Sequence, residues 1–390
     1  MDALTTPSNW QKVRLGDILE LLTDYHANGS YELLKNNVTL LKHVDFAIMI
    51  RTTNFENNDF KNDLIYINKK AYEFLSKSKV FAGDILVNKI ANAGTAYFMP
   101  KLNQPVSLGM NLFLLRIKPN YNNFFIFKQI ANYERVLKTF ANGSATKTIT
   151  KNVIKNLLIP LPPLNEQIAI ANILSDVDHY LYTLDALILK KESVKKALSF
   201  ELLSQRKRLK GFNQNWQRVR LGDICEITTG SLDANEMVHY GKYRFYTCAK
   251  EYYFIDKYAF DTEAILISGN GAYVGYVHYY KGKFNAYQRT YVLDNFSEHI
   301  MFVKYFLTMF LQSHIQTNRN EGNTPYIVMA TLKDFEILLP PLNEQIAIAN
   351  ILSALDHEII SLKNKKRQFE NIKKALNHDL MSAKIRVLNK

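Results

Sequence analysis

The fifteen residues Leu161-Pro-Pro-Leu-Asn-Glu-Gln-Ile-Ala-Ile-Ala-Asn-Ile-Leu-Ser175 decide the fold, because the identical fifteen return at 339–353. A second repeat opens each half of the chain: Trp10-Gln-Lys-Val-Arg-Leu-Gly-Asp-Ile18 matches Trp216-Gln-Arg-Val-Arg-Leu-Gly-Asp-Ile224. Between these anchors the two halves differ strongly. The sequence is therefore a duplicated frame that carries two dissimilar inserts.

Each copy of the fifteen-residue segment is predicted to begin a long helix. Its two consecutive prolines cannot lie inside a helix, so they end the preceding strand. Asn165 and Asn343 are suitable N-cap residues. Glu166 and Glu344 follow them, where a negative charge interacts favourably with the helix dipole.

Apolar residues then recur at alternating steps of four and three over about six heptads, a period of 3.5 residues that indicates a coiled coil. About 45 residues at a rise of 1.5 Å give a rod of roughly 65 Å, which would hold the two inserts a fixed distance apart. The alternative is that each helix only caps its own domain. Polar residues in a seam tend to fix register and orientation. The seams are interrupted by Lys191, Lys195, Lys366 and Lys373.

The inserts, residues 10–160 and 216–338, have a mixed α/β pattern. β-branched and aromatic runs predict strands at 85–87, 112–117, 264–268 and 290–293, and apolar periodicity predicts helices at 124–140 and 299–316. A polar glycine-containing loop follows each helix. Because this order recurs in both inserts, we expect one fold used twice with divergent loops.

The polar loops of the inserts are the expected place for base reading. Arg and Lys suit guanine edges, Asn and Gln suit adenine edges, and Ser or Thr can contact base or phosphate. The candidates are Lys89, Asn92, Lys147 and Thr148 in the first insert, and Asn270, Tyr273, Gln288, Arg289, Asn323 and Tyr326 in the second. Since these are also ordinary loop residues, a purely structural role stays open for each.

The charge distribution gives limited support to DNA binding. The net charge is +13, and basic proteins commonly bind polyanions. Residues 1–160 carry a net +8 (20 Lys and Arg against 12 Asp and Glu), whereas residues 216–338 carry −1 (12 against 13). One insert is therefore neutral, and charge alone does not establish the ligand.

Other sequence features exclude several classes of protein. No apolar run reaches the roughly 18 residues of a membrane helix, and the first ten residues lack the blocks of a signal peptide, so a cytoplasmic protein is expected. Cys225 and Cys248 are far apart and form no C-x-x-C pair. Neither a disulfide framework nor a zinc site is indicated.

The frame of Trp-x-x-Val-x-Leu-Gly-Asp, a variable domain, Leu-Pro-Pro-Leu-Asn-Glu-Gln-Ile-Ala-Ile-Ala and a long helix, all present twice, resembles the specificity subunit of type I restriction-modification systems. The segment Leu380-Met-Ser-Ala-Lys-Ile-Arg-Val387 is similar to that family's usual ending. The resemblance implies two globular α/β target-recognition domains, a pseudo-twofold repeat, and two long helices that form an antiparallel coiled coil. The expected domains are a first target-recognition domain at 1–160, a first helix at 161–211, a second target-recognition domain at 212–338 and a second helix at 339–390.

The same resemblance implies a function without catalysis. Each target-recognition domain would read one half-site of a bipartite double-stranded DNA target. Two modification subunits, which methylate adenine, would dock on the repeated frame, and restriction subunits would then join. The specificity subunit itself would perform no chemistry and bind no cofactor. The residues expected to contact the modification subunits are Asn165, Glu166, Gln167, Asn343, Glu344 and Gln345.

Three alternatives to this interpretation differ in the sequence features that they require. Asn323-Thr-Pro-Tyr326 is similar to the Asn-Pro-Pro-Tyr pocket of adenine methyltransferases, but Thr324 replaces a proline and no glycine-rich cofactor loop follows an early strand. A coiled-coil scaffold would not need two divergent paired domains. An orphan or decoy DNA-binding subunit, which keeps the fold but lacks working partners, stays open.

Overall fold

The computed structural model describes residues 9–141, 147–318 and 325–387. The chain forms two compact units. Unit 1 comprises Met1–Tyr182 and Arg367–Lys390, and unit 2 comprises Thr183–Lys366. Each unit therefore holds one insert of the sequence together with a part of each long helix.

Unit 1 begins with the first insert, whose elements are numbered here in chain order. The strands are β1 Gln11–Arg14, β2 Leu19–Asp24, β3 Ala47–Ile50, β4 Tyr66–Ile67, β5 Lys79–Val80, β6 Ile85–Asn88, β7 Ala96–Phe98, β8 Val106–Leu108, β9 Leu112–Ile117 and β10 Leu158–Leu161. The helices are α1 Leu15–Ile18, α2 Tyr31–Asn37, α3 Thr52–Glu56, α4 Lys69–Phe74, α5 Asn123–Asn132, α6 Glu134–Thr139 and α7 Lys151–Lys155.

Unit 2 contains the second insert, and both units share the two long helices. The strands are β11 Gln217–Arg220, β12 Glu226–Thr229, β13 Tyr243–Tyr246, β14 Tyr253–Ile255, β15 Phe260–Ser268, β16 Val277–Ala286, β17 Thr290–Asp294 and β18 Glu336–Leu339. The shorter helices are α9 Ile300–Asn318 and α10 Met329–Lys333, and the long helices are α8 Leu164–Leu203 and α11 Leu342–Met381.

The two inserts have the same sheet topology. In unit 1, one sheet has the order β2-β9-β6-β7, and in unit 2 the order β12-β17-β15-β16 repeats it strand for strand. A short antiparallel pair closes each insert, β1 with β10 and β11 with β18, in equivalent registers. The predicted mixed α/β fold with its internal repeat is therefore confirmed.

The inserts differ at the far side of this sheet. In unit 2, β16 is long enough to pair with β15 and then, through Phe284–Ala286, in parallel with β13. In unit 1, the corresponding partners of β6 and β3 are two separate strands, β7 and β8, so the sheet splits into two four-stranded sheets. Most of the extra residues of the longer first insert lie between β2 and β6, before this divided region.

The long helices run antiparallel where they pack within each unit. In unit 1, the ring of Tyr180 on α8 lies 4.5 Å from the ring of Phe369 on α11. Each of the four seam lysines pairs with a carboxylate on the opposite helix, as expected for residues that fix register. The pairs are Lys373 with Asp178 in unit 1, and Lys366 with Asp185, Lys191 with Glu358 and Lys195 with Asp356 in unit 2.

Two details of the predicted helices differ from the structure. Both long helices begin one residue before the predicted N-caps, because the carbonyl of the second proline already accepts from the backbone N–H four residues on. Asn165 and Asn343 lie in the first turn, where each side-chain oxygen accepts from the next backbone N–H. The helix predicted at 124–140 is broken at Tyr133 into α5 and α6.

Candidate nucleic-acid interface

A buried glutamate at the start of each long helix holds the frame together. In unit 1, the carboxylate of Glu166 accepts from the indole N–H of Trp10 at 3.3 Å and from Arg386 Nε at 2.8 Å. This cluster of Trp10, Glu166 and Arg386 is called clasp 1. Since Glu166 is only 2% exposed, its charge needs these partners.

Clasp 2 repeats this arrangement in unit 2 with Trp216, Glu344 and Arg208. The indole N–H of Trp216 donates to Glu344 at 3.2 Å, and Arg208 Nη2 donates to the same carboxylate at 2.6 Å. Arg208 and Arg386 follow their helices at equivalent positions of the repeat. The tail of one copy therefore completes the clasp at the start of the other copy.

The glutamines after these glutamates join each long helix to its own insert. The amide oxygen of Gln167 accepts from the backbone N–H of Asn122 at 3.0 Å, and its amide nitrogen donates to Pro162 O. Gln345 accepts from the backbone N–H of His299 at 3.0 Å in the same way. Both glutamines are buried.

Of the six residues expected to contact modification subunits, the two asparagines are exposed and the other four are buried with internal partners. The buried four are Glu166, Gln167, Glu344 and Gln345. These internal contacts explain why the same residue types occur in both copies of the repeat. Direct contact of the exposed Asn165 and Asn343 with another subunit stays a prediction.

Replacing Arg386 with alanine is expected to destabilise unit 1 by about 2–3 kcal/mol, because Glu166 would keep a buried carboxylate without its cationic partner. Urea unfolding followed by tryptophan fluorescence measures this in a Trp216→Phe background, where Trp10 is the sole tryptophan. Lys69→Ala is the control, because its pair with Glu73 is exposed and should contribute within about 1 kcal/mol. Equal midpoints for the two variants would contradict the role of clasp 1.

Equivalent loops connect β6 to β7 and β15 to β16, and they carry several of the candidate base-reading residues. Each loop is closed by a backbone hydrogen bond, from Gly94 N to Asn88 O at 2.9 Å and from Gly275 N to Ser268 O at 2.7 Å. Both glycines have positive φ, and a Cβ at either would lie within 2.7 Å of a helix side chain. We call residues 88–95 and 268–276 the loops L1 and L2.

Loop L1 meets a distant segment of unit 1 at Thr148. Ile90 and Thr148 form an isolated antiparallel bridge, and Ile149 N donates to Lys89 O at 3.1 Å. Lys147 and Asn92 are exposed, and Asn92 Nδ2 lies 3.5 Å from a carboxylate oxygen of Glu56. The structure thus brings all four candidates of the first insert to one region.

Lys89 does not extend freely into solvent. Its ammonium pairs with Asp24 at 3.0 Å, and Lys151 pairs with the other oxygen of that carboxylate at 3.2 Å. Burial raises the pKa of Asp24, but hydrogen bonds from Lys89 and Lys151 outweigh this and hold that pKa below its usual range. The cluster lines an open cavity of about 480 Å³ beside Thr148 and keeps one net positive charge.

Loop L2 meets two other segments of unit 2. Asn270 pairs with Tyr326 through an isolated antiparallel bridge, and Gly271 N donates to Pro325 O at 2.9 Å. Gly269 N donates to Arg289 O at 2.9 Å. The exposed side chains gathered here are Tyr273, Gln288, Arg289 and Tyr326. Asn323 lies outside the described residues.

Lys250 also belongs to this region, although no sequence pattern singled it out. Its ammonium lies 5.2 Å from the centre of the Tyr273 ring, and its loop is held by Cys248 Sγ, which donates to Arg289 O at 3.2 Å. Within the described ranges, neither Lys250 nor Arg289 forms an ion pair. The neutral second insert therefore still presents two available cations at one edge.

Replacing Arg289 with alanine is expected to relax one base position of the second half-site by about 1–3 kcal/mol if the guanidinium makes a bidentate base contact. Competition between methylation sites that differ at single positions measures this. Arg289→Lys is the matched variant, since it keeps the charge and loses the bidentate geometry. If Arg289→Ala weakened binding equally at all sites and Arg289→Lys restored that binding, Arg289 would instead contact a phosphate.

Groups outside these regions show no arrangement for chemistry among the described residues. Burial, with a smaller contribution from Asp294, raises the pKa of the Cys225 thiol to about 12, so this thiol is protonated at neutral pH. In the part of the chain that the structure describes, no group of three or more His, Cys, Asp or Glu could hold a metal ion. Among the same residues, no helix is both long and apolar enough to cross a membrane.

The duplicated frame and the two candidate reading regions can now be compared with known proteins. The family model for the type I restriction modification DNA specificity domain matches residues 7–191 and 213–371. The chain belongs to this family. The two matches coincide with the two copies of the frame, so the resemblance drawn from the repeated motifs is confirmed.

Individual relatives agree with the family match. The specificity subunit of the type I restriction enzyme EcoDI from Escherichia coli is 39% identical over 161 residues, which are 40% of this chain and 35% of that protein. The specificity subunit of the type I restriction enzyme MjaVIII from Methanocaldococcus jannaschii is 25% identical over 440 aligned positions, covering 100% of this chain and 96% of that protein.

A solved structure shares the fold over nearly the whole chain. The S subunit of a type I restriction-modification system from M. genitalium superposes with a TM-score of 0.66 at 19% identity, covering 97% of both chains. A chain from a structural study of complex assembly and conformational transition of the type I R-M system gives a TM-score of 0.53 at 17% identity. At these identities the likeness concerns the fold.

Proposed function

We propose that this specificity subunit reads a bipartite double-stranded DNA sequence, with the L1 region contacting one half-site and the L2 region the other. The observation that carries the proposal is the duplicated frame with two dissimilar loop regions. An identical frame supplies two equivalent positions, and different side chains at those positions give two different half-sites. Base contacts are assigned to the exposed residues of both regions.

The subunit acts by binding and performs no catalysis itself. Two modification subunits dock on it and methylate adenine in each half-site, and restriction subunits then join the complex. Two copies of one frame present two equivalent surfaces, so two identical partners can bind a single unduplicated chain.

The first turns of the long helices support a docking surface next to the exposed asparagines. Leu164 and Ile168 on α8 are exposed, and their counterparts Leu342 and Ile346 on α11 are exposed as well, at 39–51% of their full accessible surface. Exposed apolar residues at identical positions of a repeat are typical of contact with a partner protein. The proposed docking surfaces comprise Leu164, Asn165 and Ile168, and Leu342, Asn343 and Ile346.

Ile168→Glu and Ile346→Glu are each expected to release one modification subunit, and the double variant both, because a charge would be buried at the centre of an interface. Affinity at the altered surface should fall at least about 100-fold, a loss of roughly 3 kcal/mol. Native mass spectrometry of the co-expressed complex gives the subunit count. Leu189→Glu, at an exposed apolar residue farther along α8, is the control. A double variant that still carries two modification subunits would exclude these surfaces.

Genome-wide mapping of N6-methyladenine, with and without the gene, tests the proposed function. Loss of one bipartite motif on deletion is the expected result, and it would identify both half-sites and the spacer. An unchanged methylome together with retained DNA binding would indicate an orphan or decoy subunit instead.

A further inference from the structure

One carboxylate in unit 1 joins three helices. Asp178 on α8 accepts from Lys128 Nζ of α5 at 2.9 Å and pairs through its other oxygen with Lys373 of α11 at 2.5 Å. The Lys128 side chain is 13% exposed, and its ammonium also lies over the rings of Phe124 and Phe127. Asp178 therefore ties the target-recognition domain to both long helices.

Unit 2 contains the same arrangement on the opposite long helix. Asp356 of α11 accepts from Tyr305 Oη of α9 at 2.7 Å and pairs with Lys195 of α8, and Lys304 Nζ lies 3.8 Å away. Asp178 and Asp356 occupy equivalent positions of the repeat, as do Lys373 and Lys195. We call these carboxylates the hub aspartates.

The hub aspartates differ from the other ion pairs between the long helices. Burial raises the pKa of Asp178, but hydrogen bonds from Lys373 and Lys128 outweigh this and hold that pKa below its usual range. Asp185 also pairs across the helices, with Lys366 at 2.6 Å, but its side chain is 48% exposed and its pair includes no residue of an insert. Each hub aspartate pairs with a lysine of an insert helix and with a lysine of the opposite long helix. Gln129 and Asn132 also bond to α11, but through uncharged groups.

A hub of this kind restricts movement more than it stabilises. The side chains of Asp178 and Asp356 are 31% and 27% exposed, so these ion pairs are only partly buried and add little net stability. A shift of any one helix would still separate a partly desolvated charge from its partner. Because one carboxylate is shared by three helices, rotation or sliding of the insert in unit 1 would separate Lys128 from Asp178 and leave that carboxylate with Lys373 alone. The register of the long helices and the orientation of the insert are thus coupled.

We propose that Asp178 and Asp356 are positioning residues that fix each target-recognition domain on the long helices and so restrict methylation to one spacer length between the half-sites. This inference rests on the proposed reading of a bipartite target. In this proposal the two hub aspartates contribute to the specificity for spacer length, which base contacts alone would not provide.

The test is a methylome of cells that express the chain with its modification subunits, comparing Asp178→Asn and Asp356→Asn with the unaltered chain. Each variant is expected to keep both half-sites but to methylate sites with spacers one base pair longer or shorter, at about a tenth or more of the level at the original spacer. Asp185→Asn is the matched control and should keep a single spacer. A loss of stability alone would lower methylation at all sites without changing the spacer.

Lys128→Met keeps the test decisive if Asp178→Asn fails to fold, because it removes only the contact from α5 and leaves the pair of Asp178 with Lys373. Relaxed spacing in Lys128→Met is then the expected result. A single spacer in every variant that folds and assembles would overturn the inference while leaving the bipartite reading intact. An unaltered chain that yields no bipartite motif would contradict the proposed function itself.

Discussion

Exchange of residues 10–160 for the matching insert of another specificity subunit is expected to replace one half-site completely and leave the other unchanged. The physical reason is that the first insert contacts its frame through a small set of identifiable groups. Three of its donors bond to α8, namely the indole N–H of Trp10, the backbone N–H of Asn122 and the ammonium of Lys128, and Gln129 and Asn132 bond to α11. A donor insert that supplies the same three donors should dock on the same frame.

The methylome of the exchanged chain measures this result directly. The reciprocal exchange at residues 216–338 is the control and should alter only the other half-site. If either exchange changed both half-sites, the two inserts would not act independently. A donor insert without a tryptophan at the position of Trp10 could give no methylation. Recovery of methylation on introducing this tryptophan would show that the loss came from the missing clasp 1.

Removal of one heptad from each long helix is expected to shorten the spacer between the half-sites. Residues 186–192 and 359–365 face each other in unit 2, between the pair of Asp185 with Lys366 and the pair of Lys195 with Asp356. Their removal keeps both pairs in register. Seven residues correspond to about 10 Å of helix, or roughly three base pairs at 3.4 Å each.

The helical twist of DNA adds a second expected effect, on the rate of methylation. Three base pairs change the phase of the DNA by about 100°, at 10–10.5 base pairs per turn, so methylation at the new spacer should also be slower. Methylome mapping gives the spacer. Removal of residues 186–192 alone is the control, since it places the seam lysines out of register with their carboxylates. An unchanged spacer after the paired removal would mean that the long helices do not set it.

The sequence was sufficient to predict the frame, because identical residues and a 3.5-residue period are long-range signals. It could not show which identical residues are internal. Glu166 and Gln167 recur exactly as a docking surface would, yet both are buried, whereas Ile168 beside them is exposed. Identical residues in both copies indicate that a contact occurs twice. Their burial then shows whether that contact lies within the chain or is available to a partner protein.

The loops were less predictable because their contacts join distant segments. Lys250 lies beside Tyr273, and its segment is held by Cys248, which donates to the carbonyl of Arg289 in a contact across 41 residues that no local pattern encodes. Asp24 and Lys151 were missed for the same reason, since Asp24 contacts Lys89 across 65 residues and Lys151 across 127 residues. The divided sheet of unit 1 likewise depends on the interruption between β7 and β8.

The clasps have a consequence for the order in which the chain folds during synthesis. Unit 2 is continuous and is complete once residue 366 has left the ribosome, whereas unit 1 needs Leu380, Met381 and Arg386 for its core and its clasp. At about 5–20 residues per second, the first insert would wait roughly 10–40 s for these residues after it emerges. The second domain made is thus expected to finish first, and the nascent first domain would spend that interval with apolar surface open to chaperones.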